Sequence, residues 1–264
     1  GKEEIIFTKK IADKKEVKVI DTKPIVDDNH SEHKTVKVRA GLSDKSTGFM
    51  KRFLLGKHYR EAWRAEFEVP VVNVHEEHGG LVPIQKGGGM QTKSLRLQAK
   101  DGNQYVFRSI LKDPSALLPD NMKNTAAADF IQDGMTTAHP YSAFVIPHIA
   151  EAAGILHTHP ELVVVGDDAH LLQYRKDFAN ELMLYEGRAA NNASNIKSFG
   201  NSSEVISSPK MIKKTLNDND YTVDQKEVVR NRLFDMMIGD WDRHQDQWRW
   251  AEYTCGKGDH GHCD

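Results

Sequence analysis

The chain predicts an α+β fold, in which a mainly antiparallel sheet is joined to helices. Ser94 to Ala99 and Tyr105 to Lys112 both alternate apolar and polar residues, and Asp101-Gly102 between them is a tight-turn dipeptide. Helical patterning follows over 124–138 and 141–155, and again in a helix that ends at Gly239. With 264 residues the chain can bury a sizeable core, as one large domain or as two lobes. Its 39% apolar and 28% charged content is ordinary for a soluble globular protein. Lys and Arg number 36 against 38 Asp and Glu, so no global field argues for nucleic acid or an acidic membrane surface. No apolar run reaches membrane-spanning length.

Taken in order, residues 1–40 are lysine-rich, and Glu16 to Ile20 and Thr35 to Arg39 read as edge strands packed along a larger body. Phe49, Phe53, Tyr59, Trp63 and Phe67, closed by Pro70, read as core and contact residues around a short helix. Leu81 to Ile84 is a short apolar strand leading into a glycine-rich connection, Gln85 to Lys93. In the strand that ends this sheet, Tyr105, Phe107 and Leu111 share one face, and Val106, Arg108, Ile110 and Lys112 share the other. Pro147 should start or kink a helix. Leu162 to Val165 and Glu181 to Tyr185 read as buried strands, and 187–209 as a mobile loop. Thr222 with Gln225 makes a capping box, after which Val229, Leu233, Met236 and Met237 line one face of the helix ending at Gly239.

The segment after that helix carries the strongest chemical signal. Gly239 is followed by Asp240, Asp242, Arg243 and His244, and then by Asp246 and Gln247. Phosphoryl transfer needs such a layout, with one carboxylate orienting the attacking group and nearby polar residues holding a metal against the phosphates. Carboxylates at a helix C-terminus are disfavoured by the dipole, so cations or a metal must offset them. Arg243 and Arg249 offer a structural explanation and a bound divalent ion the functional one.

Other features are less specific. Gly87, Gly88 and Gly89 sit between two strands, where backbone amides can approach a polyphosphate, with Lys86 before and Lys93 near the end of the loop. No Gly-Lys-Ser/Thr follows, so this is not a Walker A loop, and a flexible hairpin explains the glycines equally well. Arg108 and Lys112 need partners on a half-buried face, and Asp129 or Asp133 on the next helix can supply them. His157 and His159 fall in a turn and read as structural, while His75 and His78 read as solvated surface residues. Cys255 and Cys263, with His260 and His262, match no standard zinc spacing. A local disulfide and plain loop thiols both fit them better.

Two resemblances attach to these motifs. Gly239-Asp-Trp-Asp-Arg-His244 resembles the catalytic loop of atypical kinases, the secreted casein-kinase-like and HipA-type enzymes. A closer similarity is to an uncharacterised domain of bacterial envelope proteins. Leu55 to Trp63, Gly87 to Leu97 and Gly239 to Trp250 carry it, and it covers most of residues 35–250. In that family the domain accompanies a calcineurin-like phosphoesterase domain and an outer-membrane barrel. The second resemblance implies a location in the bacterial envelope, either periplasmic or outer-membrane associated, with intramolecular contacts to those domains.

The kinase resemblance implies a two-lobed, kinase-like fold. A mainly antiparallel N-lobe would span 65–186 and an incomplete helical C-lobe 187–264, with 1–64 packed alongside. It implies ATP with Mg or Mn as cofactor, Asp242 and His244 as catalytic residues, and Gln247 as a metal ligand. Lys86, Gly87, Gly88, Gly89, Lys93, Arg108, Lys112 and Asp133 would bind the nucleotide. Gln247 stands where protein kinases place an Asn, and no later strand is expected to carry a second metal-binding Asp. The chain therefore reads as complete in its first lobe and cut within its second, inactive alone although its intact parent transfers phosphate. The alternative is a non-catalytic scaffold module of an envelope metallophosphoesterase protein.

Overall fold

A computed structural model describes residues 34–40, 58–88, 92–111, 133–240 and 243–254, together with positions 53, 56, 119, 125, 130 and 131. The strand expected at Glu16 to Ile20, and Gly89, Lys112, Asp129, Trp241, Asp242, Cys255 and Cys263, lie outside the described residues. The architecture is mixed α and β with one large sheet. The chain divides into two compact units, one built on Ser31–Val145 with His159–Arg188 and the other on Ile146–Thr158 with Ala189–Asp264.

The first unit is organised by a sheet of seven strands: β1 (Thr35–Arg39), β2 (Glu66–Val72), β3 (Val82–Gly87), β4 (Ser94–Gln98), β5 (Gln104–Ser109), β6 (Glu161–Val165) and β7 (Leu182–Gly187). Their order across the sheet is β1-β2-β6-β7-β5-β4-β3, so β1 is an edge strand, as its alternation predicts. Every neighbouring pair is antiparallel except β2 and β6, which run parallel through Val71↔Val164 and Val72↔Val165. The β4–β5 turn closes at Asp101-Gly102, with Gly102 at φ 89° and the Asp101 carboxylate accepting the Asn103 amide at 2.9 Å.

Cross-strand partners share a face of the sheet, so the register sorts the side chains. Lys86, Leu95, Phe107 and Tyr185 fall on one face; Gly87, Ser94, Arg108 and Leu184 fall on the other. Leu95, Leu97, Phe107, Val163 and Met183 are fully buried on the first face under Leu171 and Phe178, from the 3-10 turn Ala169–Tyr174 and the short helix Arg175–Phe178 that follow β6. Each such side chain contributes about 1.5–3 kcal/mol when removed from water, so this face is the unit's main core. β5 ends at Ser109, three residues before the sequence pattern does, so Ile110 and Leu111 have left the ladder. Of the helix expected over 124–138, residues 130, 131, 133 and 134 are helical and Met135–Thr137 form a 3-10 turn.

Helix α1 (Arg60–Arg64) buries Trp63, whose indole Nε1 donates to the Ala138 carbonyl at 3.0 Å. Helix α2 (Ser142–Ala152) begins five residues before Pro147 and carries the proline buried in its interior. The proline expected to start or kink a helix therefore lies within one. The Arg175–Phe178 helix is α3.

In the second unit, 187–209 is not a simple loop. A 3-10 turn forms at Lys197–Phe199, and β8 (Glu204–Ser207) pairs antiparallel with β9 (Arg249–Glu252). Ala193, Phe199 and Val205 form a buried cluster there, which is why this Gly- and Asn-rich stretch is ordered. β9 is also unanticipated, since the sequence pattern suggests no strand after Gly239. Helix α4 (Ser208–Asn217) leads to α5 (Gln225–Ile238). The cap of α5 is Asp224, in place of Thr222, and its carboxylate accepts the amides of Lys226 at 2.8 Å and Glu227 at 3.2 Å. Gly239 stops the helix at φ 74°, as expected. The face carrying Val229, Leu233, Met236 and Met237 is exposed, with Met236 at 74%. Phe234 and Ile238, one turn apart, pack instead against Ala150 and Ile155. Two apolar stripes compete on this helix, and the aromatic one is buried.

Candidate functional site

Three clusters of chemistry-bearing side chains stand on this frame. The first surrounds the β3–β4 connection. Gly88 adopts φ +113°, and a Cβ there would meet the Thr92 carbonyl oxygen at 2.1 Å, so the two ends of the connection approach more closely than any side chain permits. Gly87 lies beside Ser94 and Arg108 on the face away from the main core. Arg108 Nε donates to Glu186 Oε1 on β7 at 2.6 Å, with Glu186 nearly buried and Arg108 55% exposed.

Of the expected pairings of Arg108 or Lys112 with Asp129 or Asp133, the one between Arg108 and Asp133 is not formed, because Asp133 is held by Arg60; Lys112 and Asp129 lie outside the described residues. β7 lies directly against β5, and this puts Glu186 within reach of Arg108 before any helix residue. The lysines of the flap are also separated from Arg108. Lys86 Nζ reaches Asp177 Oδ2 at 2.6 Å, and Lys93 Nζ reaches the Asp177 carbonyl at 2.7 Å and Glu181 at 3.2 Å. Lys93 also lies over the Phe178 ring. Lys86 beside Asp177 holds that carboxyl below its ordinary range. Of the residues named for nucleotide binding, Gly87 and Arg108 therefore share one side of the sheet, Gly88 follows in the turn beyond β3, and Lys86 and Lys93 are tied down on the other side. Gly89 and Lys112 lie outside the described residues.

The second cluster follows α5. Asp235, nearly buried, is approached by Arg232 at 3.2 Å and by Arg243 at 3.3 Å, and Arg243 also pairs with Asp240 at 2.7 Å. Arg243 thus offsets carboxylates at the helix C-terminus, as the structural explanation requires. His244 is exposed and caps the 3-10 turn Gln245–Gln247, its Nδ1 accepting the Asp246 amide at 3.3 Å. Gln247 is exposed in that turn, and its amide donates to the His244 carbonyl at 3.0 Å. Asp242 is outside the described residues. Trp250 stacks with Trp248, and its Nε1 donates to Ser208 Oγ at 2.9 Å, which anchors the segment to the start of α4.

The third cluster was missed by the sequence reading, which treated His75 as solvated. His75 Nδ1 lies 2.8 Å from Asp168 Oδ2, and His170 Nδ1 lies 2.9 Å from Asp168 Oδ1. The same carboxylate accepts the His75 amide at 3.0 Å and the His170 amide at 2.8 Å. Burial alone would raise the Asp168 carboxyl, but these amide and ring donors from His170 and His75 reverse that and hold it far below the ordinary range. Asp168 in turn raises the His75 imidazole. The two rings stack with centroids 5.2 Å apart. Asp168-x-His170 directly after a buried strand was the available signal, but nothing local links it to His75. His78 is no simple surface residue either: it stacks on Tyr105 at 4.0 Å.

His157 uses Nδ1 to bond the Ile155 carbonyl at 2.8 Å, in keeping with a structural part. Among the described residues no helix is long and apolar enough to cross a membrane. No protein-family model, no curated protein and no solved structure matches this chain.

Proposed function

We propose that this chain is a kinase-like domain of a bacterial envelope protein, and that its sheet unit binds the phosphates of ATP with Mg or Mn. The observation that carries the reading is the shared face of Gly87, Ser94 and Arg108, next to the tight glycine turn at Gly88. A glycine turn brings amide donors to a polyphosphate, and a strand cation held by a carboxylate orients it. Arg108 held by Glu186 supplies that second element. In phosphotransfer Asp242 orients the acceptor hydroxyl, assisted by His244. Gln247 contributes to the metal site. Lys86 and Lys93 position the flap through Asp177 and Glu181.

Calorimetric titration of the chain with ATP and Mg tests this. Saturable, metal-dependent binding is expected, weakened about tenfold or more by Arg108→Ala, in line with a lost charge-assisted bond, and also reduced by Gly88→Ala. Absence of binding, or binding indifferent to both substitutions, would overturn the proposal.

A second reading has its own support. The exposed Val229, Leu233, Met236 and Met237 on α5 fit a non-catalytic scaffold module that meets another domain of its parent. That reading predicts no nucleotide binding at all.

A further inference from the structure

We propose that His75, Asp168 and His170 bind one divalent transition-metal ion of the zinc class. The site is separate from the nucleotide face and stands whether or not that reading holds. Its assembly follows from topology. β2 and β6 are the parallel pair of the sheet, so both chains leave the same end of it, with Gly166 N donating to the Val72 carbonyl at 2.8 Å. His75 comes three residues after β2, and Asp168 and His170 come three and five residues after β6. The two exits therefore deliver three ligand types to one place.

The donor set is specific. One ligand atom from each of the three residues lies within 4.8 Å of the others. A zinc-class ion with bonds of about 2.0–2.2 Å holds its ligand atoms about 3.3 Å apart. Closing that gap requires modest rotation of two imidazoles, and both side chains are free enough to move, at 46% and 66% exposure. Two imidazoles with one carboxylate suit a borderline divalent ion and are poorly suited to magnesium or calcium, which favour oxygen ligands. Asp168 itself is buried, with a side chain 4% exposed, and its four donors are two imidazoles and two amides. Arg175, which also feels the Asp168 charge, is paired with Asp167 at 2.6 Å. Among the described residues no lysine or arginine forms an ion pair with Asp168, and a buried carboxylate so placed is a favourable site for a cation.

The test is cobalt binding followed by visible absorption, with zinc competition, on the full chain carrying Cys255→Ser and Cys263→Ser to silence the thiols. One equivalent should bind with bands of nitrogen and oxygen coordination, and zinc should displace it. His170→Ala should lose that equivalent or weaken it by well over about tenfold, since even an outer partner of a metal ligand is worth that much. His75→Ala should behave likewise. His170 is exposed, so its removal should leave the melting curve in chelator nearly unchanged, which separates a lost site from a lost fold. Equal stoichiometry and affinity in the parent chain and both histidine variants would overturn the proposal, as would no binding by the parent chain. In either case Asp168 would be only a hydrogen-bonding staple for its two turns.

Discussion

Arg60 and Asp133 close on each other across 73 positions of sequence, Nε lying 3.4 Å from Oδ1 and Nη2 in contact with Oδ2, with both side chains only 7% exposed. Arg60 also donates to the Gly56 carbonyl, and Thr136 Oγ1 donates to the Asp133 carbonyl at 2.7 Å. A buried bidentate pair of this kind joins α1 to the segment before α2. It gives Asp133 a structural explanation where the sequence suggested a partner for the strand cations.

Removing one member leaves the other charged and buried, which costs about 3–5 kcal/mol. Arg60→Ala and Asp133→Asn are each expected to lower the unfolding free energy by that order in urea titrations. Replacing both with Met and Leu should recover most of the loss, because apolar residues of similar volume need no charge partner. If Asp133→Asn instead leaves stability intact and weakens ATP binding, Asp133 belongs to the ligand site.

In the second unit, Lys214 contacts Glu252 and lies 3.4 Å from Glu204, while Lys210 also pairs with Glu204. Lys210 and then Lys214 hold the Glu204 carboxyl below its ordinary 4.5. A depressed carboxylate contributes stability above its ordinary value and loses it as pH falls through the lower native one. Lys214→Met should therefore destabilise by about 2 kcal/mol near neutral pH, mostly by stranding the nearly buried Glu252. The Glu204 part of the difference from the parent chain should narrow in urea titrations as pH falls below the ordinary glutamate range and Glu204 protonates in both. A gap that stays constant with pH would assign the loss to packing of Lys214 on the Tyr221 ring, 5.1 Å away.

The start of α5 separates two capping arrangements. Asp224→Ala should cost about 1 kcal/mol of stability by thermal or urea unfolding, because two first-turn amides lose their acceptor. Asp224→Asn should stay within a few tenths of the parent value, since the amide oxygen caps as well. A larger loss from Thr222→Ala than from Asp224→Ala would restore the capping box drawn from the sequence.

Local features were legible in the sequence because they depend on near neighbours. The alternation of Ser94 to Ala99 and Tyr105 to Arg108 reports the two-residue period of a strand, and Asp101-Gly102 reports a turn needing positive φ. Gly239 marked a helix end for the same conformational reason. These elements stand where the pattern puts them, and the edge position of Thr35–Arg39 agrees as well. Order in 187–209 was not legible, because β8 becomes a strand only by pairing with β9, whose partners lie 42 to 48 residues later in the sequence.

Partnerships across the chain were decided by tertiary structure alone. Arg108 meets Glu186 because β7 crosses back to lie against β5, and His75 meets Asp168 because β2 and β6 run parallel. The separations are 78 and 93 residues, and no periodicity or turn rule reaches that far. The sequence by itself determined the α+β class, the hairpin and the glycine connection, since backbone period and turn chemistry are written in neighbouring residues. Only the folded chain decided which apolar stripe of α5 is buried, which carboxylate each cation takes, and that two distant histidines share one buried aspartate. Those outcomes depend on which strands close over the core, and many placements compete until that closure is made.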